Sequence, residues 1–550
     1  MKNIKYILLI AFLAAFVACN DEEDFSTVEE VAELPELTAG SADFSNFVSL
    51  GNSNTAGITD GALFKAGQEN SFPNILSQKF ALTGGGSFSQ PLTNDNFGGL
   101  AVGGNRIPGV DPRLVFGGAG PVSLESLIGP VTVTTDIALN NPAGPFNNMG
   151  VPSAKSFHLL APGYGNLGNV ALGLANPFFV RMTGSTPDAS VLQLAMAQSP
   201  TFFSLWIGSN DVLGYATSGG DGTNTLTPID GPPGFGFNQT YGALIATLTS
   251  GGAKGVVANI PYVTTLPHFT TVPHNPLDPT NPDFGPQIPT LNGIFGQLNQ
   301  VFAFLQSQGL TAAAGRDIVF SDSAASAVVI KDETLPDLSV QIEGVLNASP
   351  TFPFFVQSFG LPAQAAPLVA NLLGATYGQT RQATADDLFV LPSSTVIGTV
   401  NTANVVALMG LGLPQQLAGQ FSAEGITLPL ADKWVLLPSE QDEIKTATDA
   451  FNATIASATA AAQLALVDAN QLMQQLVQGG VTDGDFTLTS SLVTGGIFSL
   501  DGIHPTARGY ALLANEFMKA IDATYGSNFE ESGNMVDIGN YPTNYSPTLQ

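Results

Sequence analysis

Cysteine is the scarcest residue of this chain: Cys19 stands alone among 550 positions. A single thiol excludes any intramolecular disulfide. It also removes zinc as an expectation, because His158, His268, His274 and His504 are scattered and no His/Cys group has ligand spacing. Neither a metal nor a cofactor is expected. Basic residues are scarce as well, with 16 Lys and Arg against 44 Asp and Glu and a formal charge of −28. Such a field repels phosphate backbones, so nucleic acid is excluded as a partner and anionic lipid surfaces are disfavoured. Charged residues reach only 11%, against about 25% in ordinary soluble domains, and Asn, Gln, Ser and Thr cover the surface instead. What is present is ample core material, 44% hydrophobic, together with 60 Gly and 37 Pro. That combination predicts one large domain with long loops and insertions rather than disorder.

The N-terminus reads as a processing signal over residues 1–18, with Lys2 and Lys5 followed by the apolar run Ile7 to Val17. That run is shorter than the roughly 20 residues a membrane-spanning helix needs. Phe16-Val17-Ala18-Cys19 resembles a bacterial lipobox, which implies cleavage before Cys19 and lipidation of its thiol. Asn20-Asp21-Glu22-Glu23-Asp24 resembles the surface-export signal of some Gram-negative lipoproteins, and as a bare charge run it equally suits a solvated spacer. Residues 19–43 are therefore expected to form a lipidated, flexible, acidic tether. The membrane contact would be the N-terminal lipid, placing the protein in the cell envelope, at the outer membrane or its surface.

Buried parallel strands are expected at Phe44 to Leu50, Phe202 to Ile207, Gly255 to Ile260 and Leu464 to Val467, each an apolar run bounded by turn formers. Helices are expected through Ile294, Leu298, Val301 and Leu305, from a Ser439 cap paired with Asp442, and from Thr506 to about Tyr525. In the last, Tyr510, Leu512, Leu513, Phe517 and Ile521 face the core while Arg508 and Lys519 face water. Strands alternating with helices predict a three-layer α/β fold with ligands beyond the carboxyl ends of the strands. Core segments are expected at 44–270 and 431–526. Residues 271–430, Pro-rich at first and apolar later, read as an insertion or cap whose apolar segments either pack internally or line an acyl-chain pocket. The tail 527–550 is expected to be loosely ordered.

Four short blocks carry chemistry: Gly51-Asn52-Ser53-Asn54, Asn148-Met149-Gly150-Val151-Pro152-Ser153, Gly208-Ser209-Asn210-Asp211 and Asp501-Gly502-Ile503-His504-Pro505. A serine hydroxyl is a weak nucleophile and needs an imidazole base, a carboxylate to orient that base, and donors for an oxyanion. Ser53 follows a strand in a Gly-bounded turn. Asp501 and His504 put a carboxylate three positions before an imidazole, just ahead of a helix. His268 and His274 have no carboxylate at matching spacing, and His158 sits in an apolar run, so none rivals His504.

In this order the blocks resemble the GDSL, or SGNH, hydrolases, over Phe44 to about Leu266 and again about Trp434 to Tyr525. The resemblance implies a flavodoxin-like three-layer α/β/α fold carrying a large insertion. It implies Ser53 as nucleophile, His504 as general base and then acid, and Asp501 as the group that orients His504. Oxyanion donors would be the backbone N–H of Ser53, the backbone N–H of Ser153 and the amide of Asn210, with Gly51, Asn52, Gly150 and Gly208 supporting the loops. Two positions depart from the family pattern. Asn52 replaces an acidic residue, and Ser153 aligns with a glycine, which restricts the backbone where an oxyanion donor is needed.

The function implied is a lipid-anchored serine esterase or lipase acting through an acyl-Ser53 intermediate on a small-molecule or lipid ester. Two alternatives stay open: an acetyl esterase acting on acylated glycans, and a non-catalytic surface-binding lipoprotein on the same scaffold. The oligomeric state is unspecified by the sequence.

Overall fold

The computed structural model describes residues 33–550, so the expected signal peptide, Cys19 and the first part of the tether lie outside the described residues. The run ending in Gly51 forms β1 (Phe47–Gly51), all five residues buried. It is joined by β2 (Asn148–Gly150), β3 (Phe202–Trp206), β4 (Lys254–Ala258) and β5 (Ala465–Val467). The sheet order is β5-β4-β3-β1-β2, and every neighbouring pair is parallel. The chain is thus of the α/β class, a central five-stranded parallel sheet flanked by helices. The strand order reverses beside β1, where the connections to β2 and β3 leave on opposite sides and open a crevice at the carboxyl ends.

Three of the expected strand boundaries hold to within about two residues, and β1 starts later than expected. Phe44 stacks on Phe80 with ring centroids 3.9 Å apart instead of joining the ladder. The edge strand β2 was not expected, since three residues including Asn148 and Gly150 carry no apolar run.

Helices relevant to the site are α1 (Ser53–Ala56), α2 (Phe72–Phe80), α3 (Asn210–Thr217), α4 (Phe237–Thr249), α5 (Pro438–Ala461), α6 (Ala469–Gln478) and α7 (Ala507–Tyr525). Phe202 and Trp206 share one face of β3, where they meet Tyr525 and Phe72, each at 5.8 Å between ring centroids. Helices α2 and α7 cover that face. Phe203 and Leu205 point the other way and are equally buried. There α4 and α5 pack together through Phe237 and Phe451, whose rings stack at 4.0 Å.

Several local expectations change. At the start of α5 the cap is made by Glu440, not by the Ser439–Asp442 pair: Pro438 already lies in the first turn, and the Leu437 N–H donates to Glu440 Oε2 at 2.6 Å. In α7, Thr506 caps the helix and the five apolar residues expected inside are buried. Arg508 lies over the Phe486 ring at 4.2 Å rather than in water, a cation–π contact that also covers the ring. The tail is packed rather than loose. Phe529, Val536 and Ile538 are buried, and the guanidinium of buried Arg113 donates to the Ser546 carbonyl at 2.6 Å. The end of the expected tether is also held, by the Thr38 N–H on Asn528 Oδ1 and the Ser41 N–H on the Tyr525 carbonyl.

The segment expected as an insertion builds a second apolar core around Phe295, Phe302, Ile330, Ile342 and Tyr377. Helices Ile288–Ser307, Ser339–Ala348 and Ala366–Tyr377 surround it. Arg381, in the antiparallel ribbon of Val329–Lys331 and Thr380–Gln382, lies between Asp332 and Asp387, at 2.6 and 2.7 Å. Among the described residues, no helix is long and apolar enough to cross a membrane.

Candidate active site

The site begins where β1 ends. Gly51 pairs with Gly150 on one side and Trp206 on the other, and a Cβ at Gly51 would collide with Thr55 and the Trp206 carbonyl. The chain then turns directly into α1, with Asn52 as its N-cap and Asn52 Oδ1 accepting the Asn54 N–H at 3.1 Å. An amide caps a helix as well as a carboxylate does, so the departure at Asn52 has a local role. Ser53 is the first residue of α1, where backbone N–H groups have no partner within the helix.

His504 and Asp501 arrive from the loop before α7. His504 Nε2 lies 2.8 Å from Ser53 Oγ, and His504 Nδ1 lies 2.7 Å from Asp501 Oδ2. The carboxylate fixes the tautomer, with the proton on Nδ1 and the Nε2 lone pair towards the serine. Asp501 also accepts the N–H groups of Ile503, His504 and Gly61, each at 2.8 Å. Burial pushes its carboxyl up, but the His504 charge and these hydrogen bonds outweigh burial and hold it at about 2.

The third block is stitched to the second. Asn210 Nδ2 donates to the Ala154 carbonyl at 2.9 Å, which leaves its second proton for another acceptor. Next to it the buried carboxylate of Asp211 accepts the Ser156 N–H at 2.8 Å and the Ser156 hydroxyl at 2.6 Å. Gly208 has φ +123°, and a Cβ there would strike Ile260. Gly150 packs against α1 so closely that a Cβ would strike the Ala56 N–H, and Asn148 Oδ1 accepts the Gly150 N–H at 3.0 Å. Ser153 is exposed, with φ +61°, the left-handed region that glycine occupies without strain. Its N–H donates to no acceptor among the described residues. Asn210 thus lines one cavity with Ser53 and His504, and Gly51 and Gly150 pack against α1, whereas Ser153 is not part of that lining.

Three contributors escaped sequence reading. His268, buried, donates its N–H to the Gly502 carbonyl at 3.0 Å, and its Nδ1 lies 3.3 Å from the Asp501 carbonyl oxygen. Burial pushes its imidazole down, towards the neutral form. Ser499 Oγ accepts the Asp60 N–H at 2.9 Å and donates to Asp501 Oδ1 at 3.2 Å. Asp60 is itself buried and accepts the Leu500 N–H at 3.2 Å. Burial, with the charge of Asp501 adding to it, pushes Asp60 up to about 7. His268 and Asp60 come from segments far from their partners in sequence and only the fold could reveal them, whereas Ser499 lies two positions before Asp501, where the sequence offered a signal.

Beside Ser53 and His504 lies an apolar cavity of about 70 Å³, walled by Trp206, Leu266, Leu472, Met473, Leu476 and Phe498. No residue of 271–430 lines it. The insertion's apolar residues pack into their own core instead of lining this cavity. No family model, no curated protein and no solved structure matches the chain.

Proposed function

We propose that the protein is a serine ester hydrolase of the SGNH class, with a flavodoxin-like core. The observation that carries this reading is the unbroken line Ser53 Oγ–His504 Nε2, His504 Nδ1–Asp501 Oδ2, at 2.8 and 2.7 Å. The strand order, with the nucleophile at the reversal beside β1, supports the fold assignment.

On this reading Ser53 Oγ attacks the ester carbonyl as His504 Nε2 takes its proton. Asp501 orients the imidazole and stabilises the imidazolium without taking up a proton itself. The tetrahedral oxyanion is met by the Ser53 N–H and the free proton of Asn210 Nδ2, with the Ser153 N–H as the third donor. His504 then protonates the departing alcohol. Water activated by the same imidazole releases the acid and regenerates Ser53.

The apolar cavity at the nucleophile favours an acyl chain longer than acetyl, and therefore a lipid-type or medium-chain ester over an acetylated glycan. Attachment to a membrane through lipidated Cys19 completes the proposal. A series of soluble esters of rising acyl length tests the substrate class. Turnover that climbs beyond acetyl supports the reading, and a maximum at acetyl contradicts it.

A further inference from the structure

Away from the triad, three carboxylates converge between the insertion and the core. Glu333 follows the ribbon strand Val329–Lys331, Asp432 opens the short helical turn Asp432–Trp434, and Glu440 lies in the first turn of α5. One carboxylate oxygen from each lies within 4.8 Å of the others. Oxygens on opposite sides of a calcium ion are about 4.6–5.2 Å apart, twice its usual bond length. The spacing therefore suits a shared cation.

A cluster of acids alone would prove little, but Asp432 adds a second observation. Only 7% of it is exposed, and its Oδ1 is buried with no hydrogen-bond partner. None of the three pairs with Lys or Arg, although Lys433 is adjacent in sequence and lies over the Trp434 ring instead. Glu440 satisfies one oxygen with the Leu437 N–H. The loop behind it approaches so closely that a Cβ at Gly220 would overlap the Glu440 carboxyl. Asp221 and Glu443 add further negative charge nearby.

We infer that Glu333, Asp432 and Glu440 hold one divalent cation, calcium, that ties the inserted segment to the hydrolase core. The donors are all oxygen, which suits a hard cation and not zinc or copper. Buried like charges without a counter-ion must instead take up protons. Burial and mutual repulsion raise both Asp432 and Glu440. Remaining positions in the shell would be filled by water or backbone oxygens.

Calcium titration of the purified protein at pH 8.5, followed by calorimetry and thermal melting, tests this without reference to catalysis. One calcium per chain is expected, raising the melting midpoint. Asp432→Asn and Glu333→Gln are each expected to weaken binding by about tenfold or more, at least what loss of a supporting group costs a metal site. Because Glu333 is exposed, its variant decides the matter should Asp432→Asn fail to fold. Folded wild type with no saturable binding up to calcium of about 10⁻³ M, the weak end of calcium modules, would overturn the inference. So would binding that both substitutions leave unchanged.

Discussion

Among the described residues, an apolar cavity of about 70 Å³ beside Ser53 has a counterpart of about 60 Å³ inside the insertion, among Phe355, Phe359, Leu372 and Leu417. Only the first opens onto an imidazole and a hydroxyl. An apolar cavity is a place for a chain to lie, and it becomes a candidate active site only where the fold brings a polarised nucleophile to its mouth. The apolar composition of 271–430 left two roles open, internal packing or an acyl-chain pocket. That material fills a separate core, while the cavity at Ser53 is made from segments around Trp206, Leu266, α6 and Phe498.

The largest effect that separates the two regions is loss of the nucleophile. Ser53→Ala is expected to cut ester turnover by at least about 10⁴-fold with the fold unchanged, as measured by initial rates and circular dichroism. Removing an oxyanion donor comes next. Asn210→Ala should lower kcat by roughly 10²–10³-fold, and a KM that rises while kcat holds would show that Asn210 only binds substrate.

Filling the cavities compares them directly. Leu476→Phe beside Ser53 should depress turnover of eight-carbon acyl esters by about tenfold while sparing acetyl esters, since each buried methylene is worth about 0.8 kcal/mol. Leu372→Phe in the insertion should leave the chain-length profile untouched. Equal effects from both would break the comparison and implicate the insertion in substrate binding.

The smallest expected effect is on stability. Burial raises Asp60 to about 7 in the folded protein, against about 3.9 for the free side chain. Between those values the unfolded chain has released the proton and the folded chain has not. The Asp60 contribution to stability therefore falls as pH rises through this window, by up to about 1.4 kcal/mol per pH unit, and is flat above it. Asp60→Asn should make the slope shallower by that amount in denaturant titrations at pH 4, 5, 6 and 7. An unchanged slope would mean that Asp60 is ionised in the fold.

Legibility followed locality. β1, β3, β4 and β5 announced themselves as apolar runs, and Asp501 and His504 as a pair three positions apart. Short β2 was silent because its residues are held by neighbours and not by their own hydrophobicity. His268 meets Asp501, and Asp60 meets Ser499 and Leu500, through contacts between distant segments, for which no spacing rule exists; Ser499 sits only two positions before Asp501, but a lone serine at that spacing carries no motif. The tail looked loose from its Asn and Pro content. Its few anchors, Phe529, Ile538 and the Arg113 contact at Ser546, outweigh composition because each buries area or satisfies a buried charge. Ser153 shows the same priority of fold over residue type, since the turn imposes a left-handed backbone on a side chain that disfavours it.

The central claim is that Ser53 is activated by His504, and fluorophosphonate labelling tests it most directly. Stoichiometric labelling of the wild type, abolished in Ser53→Ala and strongly slowed in His504→Ala, is the predicted result. A folded wild type that resists the reagent, or labelling that persists in Ser53→Ala, would contradict it.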